Sequence, residues 1–408
     1  MVRRRTFTRQ HPAGTLGVRI AETRDGRVAL PASTILVTGV TRFLGSSLAG
    51  RLAALPHVSK VIGVDAALPD ADSRKRMGAA EFVRVDIRGP LISRLIGGSD
   101  IDTVVHASAS ASPSSPASRT MVKEMNVLGT MQLLAACQRA THVKRLVVRS
   151  TAAVYGGSPR DPAVFTEDTE PLAVPTSGPA RDAVDMEGYL RGFIRRRPDV
   201  AVAAPRFAEI IGPTVRTPLT RYFSLSPLVP VLIGRDARLQ LVHEQDAVDL
   251  MMHLVLGDYA GFVNVAGSGT MTVTQAIHRA GRLPLPMPPG SLGLLGRSLR
   301  GLRLGGFSPE QVTLLARGRT LDTSRLRDDV GYVLRFSTEE AFADFAAGLT
   351  PVIDAALLGG VEQLARKFLG VPAAAAPPAD APPRADPARR HRAGRPHLVS
   401  IDGERRIR

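Results

Sequence analysis

The chain has 408 residues, of which 44% are hydrophobic, so it is long enough for one large or two ordinary domains with a sizeable core. Aromatic residues make up 4% and Trp is absent, which argues against a carbohydrate-binding platform or a stacking surface for single-stranded nucleic acid. A single cysteine, Cys137, excludes an internal disulfide and a cysteine-rich metal site, and we expect no bound metal.

The net charge of +16 is partly concentrated in two basic tails. Residues 1–33 carry seven Arg against two acids, and residues 372–408 carry eight Arg against four. We predict disordered tails over 1–32 and 372–408, with salt-sensitive attraction to nucleic acid or anionic lipid but no specific nucleic-acid binding. No run of 18 apolar residues occurs, so we expect no transmembrane segment, no signal peptide and a cytoplasmic location.

Residues 34–45 predict a strand, a tight glycine turn and the start of a helix. Residues 34–37 are a short β-branched run, and the apolar residues after Gly39 follow helical spacing. Backbone N–H groups and the positive end of the helix dipole converge at such a turn, as a dinucleotide pyrophosphate requires. A second predicted strand, residues 61–65, ends at Asp65, which would bind a ribose 2′-hydroxyl and repel a 2′-phosphate. The pattern therefore favours NAD over NADP.

Further strands are predicted over residues 81–86, 102–107, 144–150 and 200–206, with a long helix over 119–140. Alternating strands and helices require a parallel sheet covered on both faces. Beyond residue 213 the alternation of strands and helices becomes less regular, and Pro and Gly become frequent. We therefore predict an α/β fold: a Rossmann-type, doubly wound NAD-binding domain over 33–213 and a smaller substrate lobe over 214–371, with possible return segments to the first domain.

Short motifs along residues 34–344 resemble the extended short-chain dehydrogenases/reductases, specifically the NAD-dependent sugar-nucleotide epimerase/dehydratase family. They include Thr-Gly-Val-Thr-Arg-Phe-Leu-Gly at 38–45, Asn-Val-Leu-Gly-Thr at 126–130 and Ser-Thr-Ala-Ala-Val-Tyr-Gly at 150–156. The others are Asp65 and residues 85–87, 105–109, 206–213, 242–246 and 321–324.

The resemblance implies roles for particular residues. Thr151 stands in place of the family's active-site Ser/Thr, and Ser150 and Tyr155 are further catalytic candidates. The cofactor-binding candidates are Gly39, Thr41, Arg42, Phe43, Leu44, Gly45, Asp65, Asp86, Ile87, Ala107, Ser108 and Ala109. The substrate-binding candidates are Arg206, Glu209 and Arg238. The family also implies a small-molecule substrate, such as a nucleotide sugar, and a homodimer.

The chain departs from the family at its acid/base group, a tyrosine in Tyr-x-x-x-Lys. Counting back from Glu187, which matches the glutamate after that motif, places Pro179 at the tyrosine and Ala183 at the lysine. No lysine occurs between Lys144 and Lys367, so realignment does not restore the pair. Arg181, Asp182 and Asp185 are the charged residues nearest the missing pair, and one of them could act as acid or base.

Two further positions differ from the pattern. Arg42 replaces the central glycine of the turn, and Glu209 replaces an asparagine that meets the nucleotide diphosphate. An anion facing phosphates is unfavourable, which makes a UDP-sugar doubtful.

Two hypotheses remain open, together with binding of nucleic acid or membrane through the tails. One is an epimerase/dehydratase-like enzyme that acts on a nucleotide sugar or related polyol by transient hydride transfer, with a non-standard acid/base group. The other is a catalytically inactive NAD-binding sensor or scaffold.

Overall fold

The computed structural model describes residues 21–22, 28–29, 33–107, 116–172, 174–175, 178–288 and 309–351. All of them belong to one compact unit, residues 1–359. Within the predicted N-terminal tail, β1 (Ala21–Glu22) pairs antiparallel with β2 (Val28–Ala29). Ser108, Ala109 and the whole C-terminal tail lie outside the described residues.

A parallel sheet forms the centre of the described fold. Across the sheet its strands are β5 (Glu81–Arg84), β4 (Val58–Asp65), β3 (Ser33–Thr38), β6 (Thr103–His106), β7 (Arg145–Val148), β9 (Ala201–Phe207) and β14 (Gly261–Val265). The short β8 (Ser150–Thr151) also pairs with β9. The six predicted strands are all present, and the seventh comes from the region expected to form the lobe. This order confirms the predicted Rossmann-type fold.

Helices cover both faces of this sheet. On one face lie α1 (Phe43–Ala53), α2 (Ala71–Met77) and α8 (Glu244–Leu256), and on the other α3 (Leu91–Gly97), α5 (Gly129–Arg139) and α6 (Gly178–Arg196). Strand β3 shows why both faces are needed. Ile35 and Val37 join the core on the α1 side, whereas Leu36 joins the core on the α5 side. A strand that is buried on both sides has a nearly continuous apolar sequence, as residues 34–37 have.

The helix predicted over residues 119–140 is divided into three parts. They are α4 (Pro116–Lys123), a π-helical turn (Glu124–Leu128) and α5. The wider turn rotates the residues that follow it relative to those before it, and Asn126 lies within it. Such π-helical turns are rare and occur often at functional sites.

The second lobe consists of short strand pairs and helices. Its strands are β10 (Glu209–Ile211), β11 (Leu228–Leu232), β12 (Arg238–Leu239), β13 (Leu241–His243), β15 (Met271–Thr272) and β16 (Leu283–Met287). Its helices are α7 (Pro218–Phe223), α9 (Val273–Arg279), α10 (Pro309–Arg317), α11 (Ser324–Asp328) and α12 (Thr338–Ala347). Tyr222, Phe223 and Phe342 anchor a separate apolar core there. Helix α8 and strand β14 then return to the sheet domain.

Candidate functional site

The first cavity, about 280 Å³, opens where strands β3 and β4 end. Gly39 has φ +77°, and a Cβ on Gly45 would lie 2.3 Å from the Gly39 carbonyl oxygen, so helix α1 packs directly on the turn because both are glycine. The Asp65 carboxylate accepts hydrogen bonds from the Thr41 N–H at 3.2 Å and the Thr41 hydroxyl at 2.7 Å. The turn, the helix N-terminus and the carboxylate form a cradle that fits a dinucleotide.

The predicted cofactor residues divide into those that line this cavity and those that support it. Gly39, Thr41, Arg42, Asp65 and Ile87 line it. Phe43, Leu44, Gly45, Asp86 and Ala107 do not line it. Leu44, Gly45 and Ala107 are buried, and the Phe43 ring lies 5.7 Å from the Arg76 guanidinium carbon. Of the ten predicted cofactor residues that the structure describes, five therefore line the cavity and three are buried in packing positions.

Asp86 is held by Arg88 beside the first cavity. Arg88 Nη2 donates to Asp86 Oδ2 at 2.7 Å, and Arg88 Nη1 donates to Glu124 Oε2 at 2.9 Å. The hydrogen bond from the Arg88 side chain holds the pKa of Asp86 below its usual value. Arg88 itself lines the cavity, which the sequence did not reveal.

Ser150, Tyr155 and Arg206 belong to one buried network. The Ser150 hydroxyl donates to Glu187 Oε1 at 2.6 Å, and Arg206 donates to both Glu187 oxygens, at 2.9 and 2.7 Å. Arg206 Nη1 also donates to the Tyr155 hydroxyl at 2.8 Å, which in turn donates to Asn264 Oδ1 at 2.7 Å. Burial raises the pKa of Tyr155. Arg206, which was predicted to contact substrate, forms an ion pair with Glu187 inside the protein.

Thr151 is partly exposed, whereas the other two catalytic candidates, Ser150 and Tyr155, are buried. Its Oγ1 accepts a hydrogen bond from the Ala153 N–H at 3.2 Å, which starts a 3₁₀ turn over Ala152–Tyr155. The hydroxyl proton is not used in this contact.

The space expected for the family's lysine is apolar in this protein. Ala183 is buried beside Ala152, Val154 and Tyr155. Proline and alanine supply neither a phenol nor an ammonium group at positions 179 and 183. Neither of these two side chains can donate or accept a proton.

A second cavity, about 480 Å³, is rich in arginine. Arg235, Arg238, Arg317 and Arg319 line it, against two carboxylates, Asp161 and Asp236. The Arg319 N–H donates to the Arg238 carbonyl oxygen at 3.1 Å, which joins two distant chain segments. Arg319 Nη2 donates to the Gly156 carbonyl at 2.6 Å, whereas its buried Nε has no partner among the described residues. An anionic ligand would satisfy this surplus of positive charge.

Glu209 does not line the arginine-rich cavity but lies near two of the protein's guanidiniums. Burial raises the pKa of Glu209, and the charges of Arg319 and Arg149 oppose that rise. Burial also lowers the pKa of Arg149 to about 10. Positive charge on Arg319 and Arg149 therefore lies near Glu209 and would oppose the repulsion expected between its carboxylate and an anionic ligand.

Sequence reasoning identified Arg238 but missed Arg235, Arg317 and Arg319. Arg317 and Arg319 flank Gly318, which has φ +72°. A glycine between two charged residues is a local sequence signal for an exposed turn. The pairing of this turn with Arg238 depends on the bridge between Leu239 and Arg319, which no short motif predicts.

Comparison with known proteins agrees with the fold and with NAD as the cofactor. Residues 35–266 match the model of a family described as the NAD dependent epimerase/dehydratase family. The chain is 46% identical over 322 residues to an uncharacterized protein of Mycobacterium tuberculosis, covering 78% of this chain and 85% of that protein. It is 26% identical over 327 residues to the UDP-glucose 4-epimerase of Mycolicibacterium smegmatis, covering 76% and 96%.

A solved structure, MoeE5 in complex with UDP-glucose and NAD, has the same fold, with a TM-score of 0.59 and 22% identity over 78% of this chain and 98% of that one. The cofactor predicted from the sequence, NAD, is the one by which the family is described. In the part of the chain that the structure describes, no helix has the length and hydropathy needed to cross a membrane. Because the family model matches more than half of its residues, this chain belongs to the NAD-dependent epimerase/dehydratase family.

Proposed function

We propose that this protein binds NAD in the first cavity and a nucleotide sugar, or a related phosphorylated polyol, with its anionic group in the arginine-rich cavity. The observation that carries the proposal is the set of four arginine side chains around that cavity. Gly157, two residues beyond the turn that follows Thr151, also lines it. A ligand held there by its phosphates could therefore extend its sugar toward Thr151.

The residues of the first cavity would hold the pyrophosphate and the adenosine half of NAD. The glycine turn would receive the pyrophosphate on backbone N–H groups, and Asp65 would accept a hydrogen bond from the adenosine ribose. Bound NAD supplies a hydride acceptor that can return the hydride to the substrate. Thr151 would polarise the substrate hydroxyl or ketone, and the proton would be moved by a group other than a Tyr-Lys pair.

Two measurements test this assignment. Small molecules released from the purified, denatured protein are identified by mass spectrometry, and NADH absorbance is followed across a panel of nucleotide sugars and polyols. We expect NAD among the released molecules and product formation with at least one member of the panel. Bound NAD with no turnover across the panel would contradict the enzymatic part of the proposal.

Anion binding is tested separately with UDP as the probe. Replacing Arg238→Ala is expected to weaken UDP binding about tenfold, because a charge-assisted contact to phosphate is lost. Arg221→Ala removes the same charge from an exposed position on α7 and serves as the matched control. Equal affinities for the two variants would place the diphosphate elsewhere.

A catalytically inactive NAD-binding sensor or scaffold is the second candidate. Ala183 packed in an apolar cluster favours it, as does the Tyr155 phenol bonded within the buried network. It predicts NAD binding without turnover by the natural sequence. Turnover would then arise only when Pro179→Tyr and Ala183→Lys are introduced together, and an active natural protein would exclude this candidate.

A further inference from the structure

The guanidinium of Arg88 is held between two carboxylates at the first cavity. Its Nε donates to Asp86 Oδ1 at 3.1 Å, its Nη2 donates to Asp86 Oδ2 at 2.7 Å, and its Nη1 donates to Glu124 Oε2 at 2.9 Å. Arg88 lines the cavity, whereas neither Asp86 nor Glu124 does. All three guanidinium nitrogens therefore donate to residues outside the cavity wall. What Arg88 presents to the cavity is the flat face of the guanidinium and its methylene chain.

The carboxylate of Asp86 is occupied as well. Its Oδ1 accepts from the Arg88 backbone N–H at 2.9 Å and from Nε at 3.1 Å, and its Oδ2 accepts from Nη2 at 2.7 Å and from Nε at 3.2 Å. A carboxylate offers about four acceptor positions. Asp86 therefore has little capacity left for a hydrogen-bond donor on a ligand, although the resemblance to the family predicts that it binds the cofactor.

The order of the strands indicates which part of a dinucleotide would lie beside Arg88. The glycine turn follows β3, Asp65 ends β4, and residues 85–88 follow β5, and these three strands are neighbours in that order. In a dinucleotide the adenosine ribose lies between the pyrophosphate and the adenine. With the pyrophosphate at the turn and the ribose at Asp65, the base falls beside residues 85–88.

The remaining wall of the first cavity suits a flat heteroaromatic ring. Apart from Arg88, five apolar side chains of the strand ends and of the segment around the π-helical turn line it: Val85, Ile87, Met121, Val122 and Met125. Such side chains exclude water from both faces of a ring. A guanidinium whose nitrogens are already hydrogen-bonded contacts a ring through its face, by stacking.

Arg88 is not arranged as a site for a phosphate. Asp86 and Glu124 already surround its single positive charge, so the group of three side chains is negatively charged as a whole. A 2′-phosphate placed beside this group would be repelled. The arginines of the second cavity differ in this respect, because they outnumber the carboxylates there.

We propose that Arg88 recognises the adenine of NAD by stacking, so that the base is selected by the area of its ring system and not by a hydrogen bond from its 6-amino group to Asp86. Asp86 and Glu124 are positioning residues that hold the guanidinium plane. The inference rests on the proposed function in one respect, that the first cavity holds NAD.

The test uses the full chain and measures the dissociation constants of three dinucleotides by calorimetry. They are NAD⁺, nicotinamide hypoxanthine dinucleotide and nicotinamide cytosine dinucleotide. Hypoxanthine has the two fused rings of adenine without its amino group, whereas cytosine has an amino group on a single ring.

In the natural protein, NAD⁺ and the hypoxanthine compound should bind within about threefold of each other. The cytosine compound should bind about tenfold more weakly, because a single ring offers less area for stacking. Binding of NAD⁺ that is tenfold or more tighter than binding of the hypoxanthine compound would show that the amino group is recognised, and would overturn the inference.

Arg88→Ala removes the stacking surface. The two purine compounds should each bind about tenfold more weakly to this variant, and the cytosine compound should change by less than about threefold, so the preference for a purine falls. Arg94→Ala removes the same charge from an exposed position on α3 and should leave all three constants within about twofold. A purely structural role of Arg88 would weaken the three compounds equally, so an unchanged purine preference overturns the inference.

If Arg88→Ala does not fold, as judged by thermal melting, Arg88→Lys is used. Lysine keeps a positive charge between Asp86 and Glu124 but has no planar group, so the purine preference should still fall. A preference that stays constant in this variant contradicts stacking by Arg88. A natural protein that binds none of the three dinucleotides overturns the proposed function itself, and this inference with it.

Discussion

The Ser150 hydroxyl donates a hydrogen bond to Glu187 at 2.6 Å, joining the carboxyl end of the sheet to the middle of helix α6. Arg206 from the neighbouring strand neutralises the same carboxylate, and all three residues are buried. Glu187 therefore ties helix α6 to strands β8 and β9 through one hydrogen bond and one ion pair.

Glu187→Gln tests the energy of this buried ion pair. Removing one charge leaves the Arg206 guanidinium without its counter-ion, so we expect the free energy of unfolding to fall by about 3–5 kcal/mol. Urea denaturation measures this value. Glu170→Gln, at an exposed position, should change it by less than about 0.5 kcal/mol, and similar losses for both variants would contradict a buried pair.

The variant Tyr155→Phe distinguishes a structural role of the Tyr155 phenol from a catalytic one. The variant loses the hydrogen bonds to Asn264 and Arg206, and the free energy of unfolding should fall by about 1–3 kcal/mol. Because the phenol is bonded within the network, NAD affinity and any turnover per folded molecule should be unchanged. A large loss of turnover with an unchanged melting temperature would show instead that Tyr155 acts in the reaction.

Asp65→Asn tests coenzyme choice. The amide cannot accept the same charge-assisted hydrogen bonds and no longer repels a 2′-phosphate, so NAD⁺ affinity should fall about tenfold while NADP⁺ affinity falls less or rises. Calorimetric titration with both coenzymes measures the change. Asp72→Asn, on the exposed side of α2, provides the comparison. Equal losses for NAD⁺ and NADP⁺ would mean that Asp65 serves only to hold Thr41.

His106 predicts a pH dependence of stability. Burial lowers the pKa of His106 to about 4, below the unfolded value near 6.5, so the unfolded chain takes up the proton first as the pH falls. The stabilisation is fully present above about pH 6.5 and is lost toward pH 4, amounting to roughly 3 kcal/mol in total.

Urea denaturation at pH 7.5 and pH 5 measures this effect in the natural protein and in His106→Gln. The variant should lose less stability between the two pH values. The same loss in both proteins would assign the acid sensitivity to other groups.

The sheet was predictable because its strands carry local signals. Residues 34–37 and 61–65 are compact apolar runs bounded by glycine and acidic residues. That these segments are strands, and their order along the chain, can therefore be predicted from the sequence. Strand β14 was not identified, because its pairing with β9 depends on residues about 60 positions apart and its sequence is short.

The cofactor cradle was predictable for a similar reason, since Gly39 through Asp65 form one continuous unit. The arginine-rich cavity was not, because Arg238 and Arg319 come together only through a bridge across 80 residues. The contact between Asn126 and Asp182 likewise spans 56 residues and depends on a π-helical turn that helix propensity does not predict.

Helix α8 and strand β14 follow the first part of the second lobe in the chain but pack with the sheet domain. The chain therefore cannot be cut into two independent fragments at a single position. A fragment that stops at residue 213 would lack an edge strand and the apolar surface of α8, including Leu250, Met251 and Leu254. The facing side chains of α1 and β7 would become exposed to water, and such a fragment would aggregate rather than fold. Exchange of the second lobe with that of a relative therefore requires two junctions, one before and one after the excised segment.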